Sequence, residues 1–68
     1  MTKNAIKLYN YIHESGEMEI SREDLAHDLH LKYYDFIDAV RELRHRGLIE
    51  VEEKPLMYGE TNPVWRAK

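Results

Sequence analysis

Apolar residues recur at helical spacing near the start of the chain. A stripe on one side of a first helix is formed by Ala5, Leu8, Tyr9 and Ile12. Their i, i+3, i+4, i+7 spacing is that of an amphipathic helix with one buried face. Thr2 is a suitable N-cap, and Ser15-Gly16 is a suitable end because glycine adopts the left-handed conformation that closes helices. The pattern therefore predicts a helix that begins just after Thr2 and ends near Ser15.

Two further helical patterns follow, with a short turn between them. Ser21 is an N-cap with acidic residues in the next turn, and the inward positions of this helix are Leu25, Ala26 and Leu29. We expect a turn at residues 30–32. Helical spacing then resumes at Tyr33, Phe36, Ala39, Val40 and Leu43 and stops at Gly47.

Alternating apolar and polar residues predict three strands. Residues 18–20 form a very short alternating run, which we expect to pair with a C-terminal hairpin. The hairpin strands are predicted at residues 48–52 and 64–67, joined by a connection from Lys54 to Pro63 that is longer than usual for a hairpin. The expected fold is therefore α+β, with three helices, a short strand and a C-terminal β-hairpin.

The third helix has a side that its core residues do not use. At about 100° per residue, with Phe36 at the centre of the buried side, the outward positions are Tyr34, Ile37, Asp38, Arg41 and His45. Tyr33 falls on the buried side, which favours a core position over base stacking. Apolar bulk at Tyr34 and Ile37 on an outward face predicts a partner, either DNA, another protein or a second copy of the chain.

Composition limits the classes of protein that fit. The 68 residues allow one domain, residues 1–68, and the chain contains no cysteine for disulfides or thiolate metal sites. No apolar run approaches the roughly 20 residues that span a bilayer, so we expect a soluble, cytoplasmic protein. The net charge of −3 is unusual for a nucleic-acid binder, but it is unevenly distributed. Residues 1–31 carry three cations and six acids, whereas residues 32–47 carry four cations and three acids.

Enzymatic and metal-dependent functions are not predicted. The sequence has no glycine-rich phosphate loop, no nucleophile elbow and no pair of acids in an apolar setting. His27 and His30 have permissive spacing for a metal but no third ligand, and a zinc site takes at least three from the protein. We therefore expect no catalytic residues, no metal and no cofactor.

Residues 21–51 resemble the winged helix-turn-helix DNA-binding family. The matching pattern comprises a cap, a Leu-Ala pair, a turn, a helix and an Arg-Gly-Leu-Ile ending, at Ser21, Leu25-Ala26, Leu29, His30, Leu31, Phe36, Val40, Leu43 and 46–49. The family's turn glycine is replaced by His30, a residue type that tolerates positive φ better than most, so we expect the turn to form with some strain. The resemblance implies a winged helix-turn-helix fold, with the hairpin as the wing.

The resemblance also implies where double-stranded DNA would bind. Residues 32–46 would lie in the major groove, with base or phosphate contacts from Lys32, Tyr33, Tyr34, Ile37, Asp38, Arg41, Arg44 and His45, and flanking contacts from Lys54 and Arg66. Arg41 can donate two hydrogen bonds to guanine, while Asp38 repels phosphate but can accept from cytosine. The implied function is a small transcription regulator of the kind found in phages and mobile elements, acting as a homodimer or with a protein partner.

A protein-binding winged helix is the alternative. Such a phage-encoded factor would dock on a host or phage protein through its acidic surface and the apolar segment Leu56-Met57-Tyr58 of the wing. Net negative charge favours this hypothesis. Salt dependence distinguishes it from DNA binding, because affinity for DNA weakens steeply as salt is added.

Overall fold

The computed structural model describes residues 1–53 and 62–68. In these residues the chain forms three helices and a small antiparallel sheet, an α+β arrangement. The elements in chain order are α1 (Lys3–Ser15), β1 (Met18–Glu19), α2 (Arg22–Asp28), α3 (Tyr33–His45), β2 (Ile49–Glu52) and β3 (Val64–Ala67). Each lies where the sequence pattern predicts it, to within a residue or two.

The ends of α1 follow from local hydrogen bonds. The Thr2 hydroxyl accepts a hydrogen bond from the Ala5 N–H at 3.2 Å, which satisfies one of the free donors of the first turn. At the other end, Gly16 has a φ of 74° and its N–H donates to the Ile12 carbonyl. The predicted first helix is therefore confirmed at both ends.

A tight turn separates α2 from α3. The Ser21 hydroxyl caps α2 by accepting from the Asp24 N–H at 3.1 Å. His30 has a φ of 56°, the left-handed conformation that was expected in the turn, and the Leu31 N–H returns to the Ala26 carbonyl. These contacts fix the direction in which α3 leaves α2.

The sheet has the strand order β1-β3-β2, and both pairings are antiparallel. Met18 and Val51 lie on either side of Trp65, and Glu19 and Glu52 lie on either side of Val64. The predicted short strand and C-terminal hairpin are thus confirmed. The predicted wing-tip positions, Lys54 and Leu56-Met57-Tyr58, lie outside the described residues.

Trp65 is central to the core. Its side chain is fully buried, its ring centroid lies 5.8 Å from that of Phe36, and its indole N–H donates to the Ile20 carbonyl at 2.9 Å. One residue of β3 therefore joins α3 to the segment that follows β1. The buried cluster comprises Ala5, Leu8, Ile12, Leu25, Ala26, Leu29, Phe36, Ala39, Val40, Leu43, Ile49 and Trp65.

No helix among residues 1–53 and 62–68 combines the length and the apolar character that crossing a membrane requires.

Candidate nucleic-acid interface

The outward face of α3 is determined by what the helix buries. Phe36, Ala39, Val40 and Leu43 are all in the core, so the opposite side of the helix faces solvent. That side carries Tyr34, Asp38, Arg41 and His45, each of them exposed. Tyr34 is 85% exposed, the highest value among the large hydrophobic side chains that the structure describes. We call these four residues the outward face of α3.

Two predicted positions on this helix are wrong. Ile37 was expected to point outward, but it is half-buried and packs against the core cluster. Tyr33 was expected in the core, but it is 43% exposed, with its ring centroid 6.4 Å from that of Phe36. Tyr33 is the first residue of α3, so no preceding helical turn covers it. Compared with the prediction, the aromatic side chain of Tyr33 is therefore more available to a partner, and the aliphatic side chain of Ile37 is less available.

Three cations on or beside the outward face have no carboxylate partner among residues 1–53 and 62–68. Lys32, Arg41 and Arg44 are exposed, and none forms an ion pair within 4.0 Å in this part of the chain. Their donors are therefore available to an external anion. Lys32 is the N-cap residue of α3 and Arg44 lies in its last turn, so the positive charges are distributed along the helix.

Arg46, the fourth cation of this segment, is held differently. Its Nε lies 3.8 Å from a carboxylate oxygen of Glu42, one turn earlier. Glu42 also accepts a hydrogen bond from the backbone N–H of Thr2 at 3.2 Å, which ties α3 to the start of α1. Glu42 is a structural acid on this helix, and sequence spacing alone does not reveal a contact between residues 40 positions apart.

Arg66 is a predicted DNA contact that the structure places in an ion-pair cluster. Its guanidinium lies 2.6 Å from Glu17 and 2.9 Å from Glu52. Hydrogen bonds to Glu52, and then to Glu17, raise the pKa of Arg66 above its ordinary value. Because both carboxylates already neutralise this cation, Arg66 is a poor candidate for a phosphate contact. Lys54, the other predicted flanking residue, lies outside the described residues.

The face of the sheet that carries Arg66 is acidic. Side chains of directly paired residues share one face of a sheet, so Glu50 and Arg66 lie on the face opposite Trp65. Arg22, the first residue of α2, forms an ion pair with Glu53, the residue that follows β2. The exposed acids of the sheet and its flanks are Glu17, Glu19, Glu50, Glu52 and Glu53. The described part of the sheet thus disfavours a polyanion, whereas three exposed cations without a carboxylate partner in the described residues lie on or beside α3.

A metal centre is not evident in the described part of the chain. No three or more His, Asp or Glu side chains there are arranged to hold an ion. Tyr11 donates to Asp28 at 3.4 Å, so one acid near His27 and His30 is engaged in a hydrogen bond between α1 and α2.

Comparison with models of known protein families gave no match, and comparison with curated proteins gave none either. The site's own geometry and charge are therefore the basis for inferring a function.

Proposed function

We propose that this protein is a small winged helix-turn-helix DNA-binding protein, a transcription regulator whose third helix reads the major groove. The observation that carries the proposal is the outward face of α3, where Arg41 and Tyr34 are both exposed, two turns apart, and Arg41 forms no ion pair with a carboxylate in the described residues. An unpaired cation and an exposed aromatic ring on one helix face suit a polar, anionic partner.

The dimensions of α3 are suitable for this role. The helix has 13 residues, so at 1.5 Å per residue it is about 20 Å long. The major groove is about 12 Å wide and accommodates one α-helix. Helix α2 and the turn at His30 precede α3 in the order typical of helix-turn-helix proteins, in which the second helix of the pair enters the groove.

Each side chain in the proposal has a specific role. Arg41 donates a bidentate pair of hydrogen bonds to the O6 and N7 atoms of guanine, which discriminates by about 1–3 kcal/mol against other bases. Lys32 and Arg44, at the two ends of α3, contact phosphates on either side of the groove. The Tyr34 hydroxyl is a further phosphate donor, and His45 lies one turn beyond Arg41 on the same face.

A single copy of this surface makes few phosphate contacts. Because the described part of the sheet is acidic, the free cations of α3 have to supply most of the attraction. We therefore propose that two copies bind adjacent half-sites, since linked binding events raise the overall affinity without new contacts.

The test is a fluorescence anisotropy titration of a labelled duplex pool of random sequence at low and at moderate salt. We expect affinity to fall steeply with salt, with a slope in log–log units of about −0.9 for each phosphate contact. Arg44→Ala should make the slope shallower by about 0.9. Arg41→Ala should mainly reduce the ratio between the affinity for a preferred duplex, selected from the pool, and the affinity for the unselected pool.

Arg66→Ala is the matched control because it removes the same charge from a cation already paired with two carboxylates. We expect its salt slope to equal that of the wild type. Absence of duplex binding by the wild type, or a salt slope near zero, would rule out the proposal. A slope reduced by Arg66→Ala and unchanged by Arg44→Ala would instead place the contact at the sheet.

Docking on a protein is a second candidate, favoured by the acidic sheet. Five exposed glutamates lie on the sheet and its flanks, against the two paired arginines Arg22 and Arg66. A basic protein surface is the complementary partner. This function would leave the wild type without salt-dependent affinity for duplex DNA, which the same titration measures.

A further inference from the structure

Three acids lie on α3, and two of them have a structural explanation. Asp35 is in the first turn, where a negative charge is stabilised by the positive end of the helix dipole. Glu42 accepts the Thr2 N–H and lies near Arg46. Asp38 has neither kind of role, because it is in the middle of the helix and forms no ion pair within 4.0 Å among residues 1–53 and 62–68.

Asp38 gains little from the helix itself. Aspartate has low helix propensity in interior positions, and the like charge of Glu42 at i+4 offsets the opposite charge of Arg41 at i+3, with which Asp38 forms no ion pair within 4.0 Å. Yet Asp38 is exposed on the outward face of α3, between Tyr34 one turn before it and Arg41 one turn after it. Its position places a carboxylate in the middle of the surface that is proposed to meet DNA.

We propose, resting on the proposed DNA-binding function, that Asp38 is a specificity-determining residue that selects a cytosine beside the guanine contacted by Arg41. A carboxylate only accepts hydrogen bonds, so phosphate oxygens and the acceptor atoms of guanine and thymine repel it. The major-groove donors are the amino groups of cytosine and adenine, and acidic side chains pair with cytosine N4.

The spacing of Asp38 and Arg41 fits neighbouring base contacts. Three helical residues rise about 4.5 Å along the helix axis, against a rise of about 3.4 Å per base pair along the DNA axis. Arg41 only donates and Asp38 only accepts, so together they complement a guanine and a cytosine in adjacent base pairs. Asp38 also weakens binding to every sequence that lacks the amino group, which sharpens discrimination.

The experiment compares the sequences that the wild type, Asp38→Asn and Asp35→Asn each enrich from a random-sequence duplex pool. We expect the wild type to enrich a guanine with a cytosine in the next base pair. In Asp38→Asn the cytosine preference should fall about tenfold and shift toward adenine, because an amide pairs with adenine N6 and N7. The guanine preference should remain.

Asp35→Asn is the matched control, since it removes the same charge from the same helix outside the outward face. Its enriched sequences should equal those of the wild type. Thermal unfolding of both variants checks that each is folded, and Asp38→Asn should melt close to the wild type because it removes both a like-charge neighbour of Glu42 and an opposite-charge neighbour of Arg41.

The possible failures are distinguishable. A wild type that binds no duplex overturns both this inference and the proposed function. A wild type that binds duplex but enriches no sequence overturns only the role of Asp38, as does an Asp38→Asn variant that keeps the cytosine preference. Equal loss of that preference in Asp35→Asn and Asp38→Asn would attribute the effect to net charge and also overturn the assignment.

Discussion

Replacing Trp65 with phenylalanine perturbs the point at which β3, α3 and the segment after β1 meet. The indole is fully buried and donates to the Ile20 carbonyl, and its ring contacts that of Phe36. Phenylalanine fills part of the same space but lacks the N–H and two of the ring carbons. The variant therefore leaves the Ile20 carbonyl without this donor and opens a small cavity beside Phe36.

The expected cost is the sum of these two losses. A typical hydrogen bond contributes about 1 kcal/mol net, and each buried carbon contributes about 0.8 kcal/mol, so the free energy of unfolding should fall by about 2–3 kcal/mol. A chain of 68 residues has a total stability of about 3–10 kcal/mol. The melting temperature should fall by about 10–20 °C, since 1 kcal/mol corresponds to about 4–8 °C in a domain of this size.

Urea unfolding followed by far-ultraviolet circular dichroism measures this change, because the variant lacks the only tryptophan of the chain. We expect a lower midpoint with an unchanged dependence on urea. Tyr34→Phe is the control, as it removes a hydroxyl from a ring that is 85% exposed and should change stability by less than about 0.5 kcal/mol. A Trp65→Phe variant within the same margin would refute the reasoning that Trp65 joins the helices to the sheet.

Two further predictions concern the packing of α3 and the turn before it. Leu43→Ala should lower the free energy of unfolding by about 2–5 kcal/mol in the same urea assay, because Leu43 is fully buried; an unchanged midpoint would mean that α3 faces the core differently. His30→Gly should raise stability by up to about 1 kcal/mol, since glycine relieves the cost of a φ of 56° but adds freedom to the unfolded chain. A lower melting temperature for His30→Gly would reveal a stabilising contact of the imidazole.

Sequence signals that act over a few residues predicted most of the fold. The caps at Thr2 and Ser21 and the helix end at Gly16 depend on hydrogen bonds between residues three or four positions apart. The positive φ of His30 is also local, since it occurs at the end of α2, where the His30 N–H donates to the His27 carbonyl. Each of these features depends only on residues close in sequence, so it can be predicted without knowledge of the tertiary structure.

The errors on α3 have a different origin. A helical wheel treats every turn of a helix alike, whereas Tyr33 is at the first position, where less of the protein surrounds it. Ile37 lies about 100° from Phe36, at the border of the buried half, and its side chain is long enough to reach the core. The angular position alone does not decide burial at such borders.

Contacts between distant segments were outside the reach of sequence patterns. Arg66 pairs with Glu17, 49 residues away, because the register of β1 and β3 brings their ends together. The central position of Trp65 depends on the same register. Sequence patterns therefore placed Tyr34, Asp38, Arg41 and His45 correctly on the outward side of α3, misplaced Tyr33 and Ile37, and missed the ion pairs of Arg66 with Glu17 and Glu52.

The uneven distribution of charge between α3, with four cations and three acids over residues 32–47, and the sheet, with five exposed glutamates on it and its flanks, would affect how the molecule approaches a charged rod such as a nucleic acid. The outward face of α3 and the acidic face of the sheet point away from the core on different sides, because Phe36 and Trp65 pack against each other between them. If the protein binds DNA as proposed, we expect approach through the exposed glutamates of the sheet to be disfavoured relative to approach through the arginines of α3. Productive collisions should become more frequent than chance orientation allows, and added salt should slow association as well as weaken the complex.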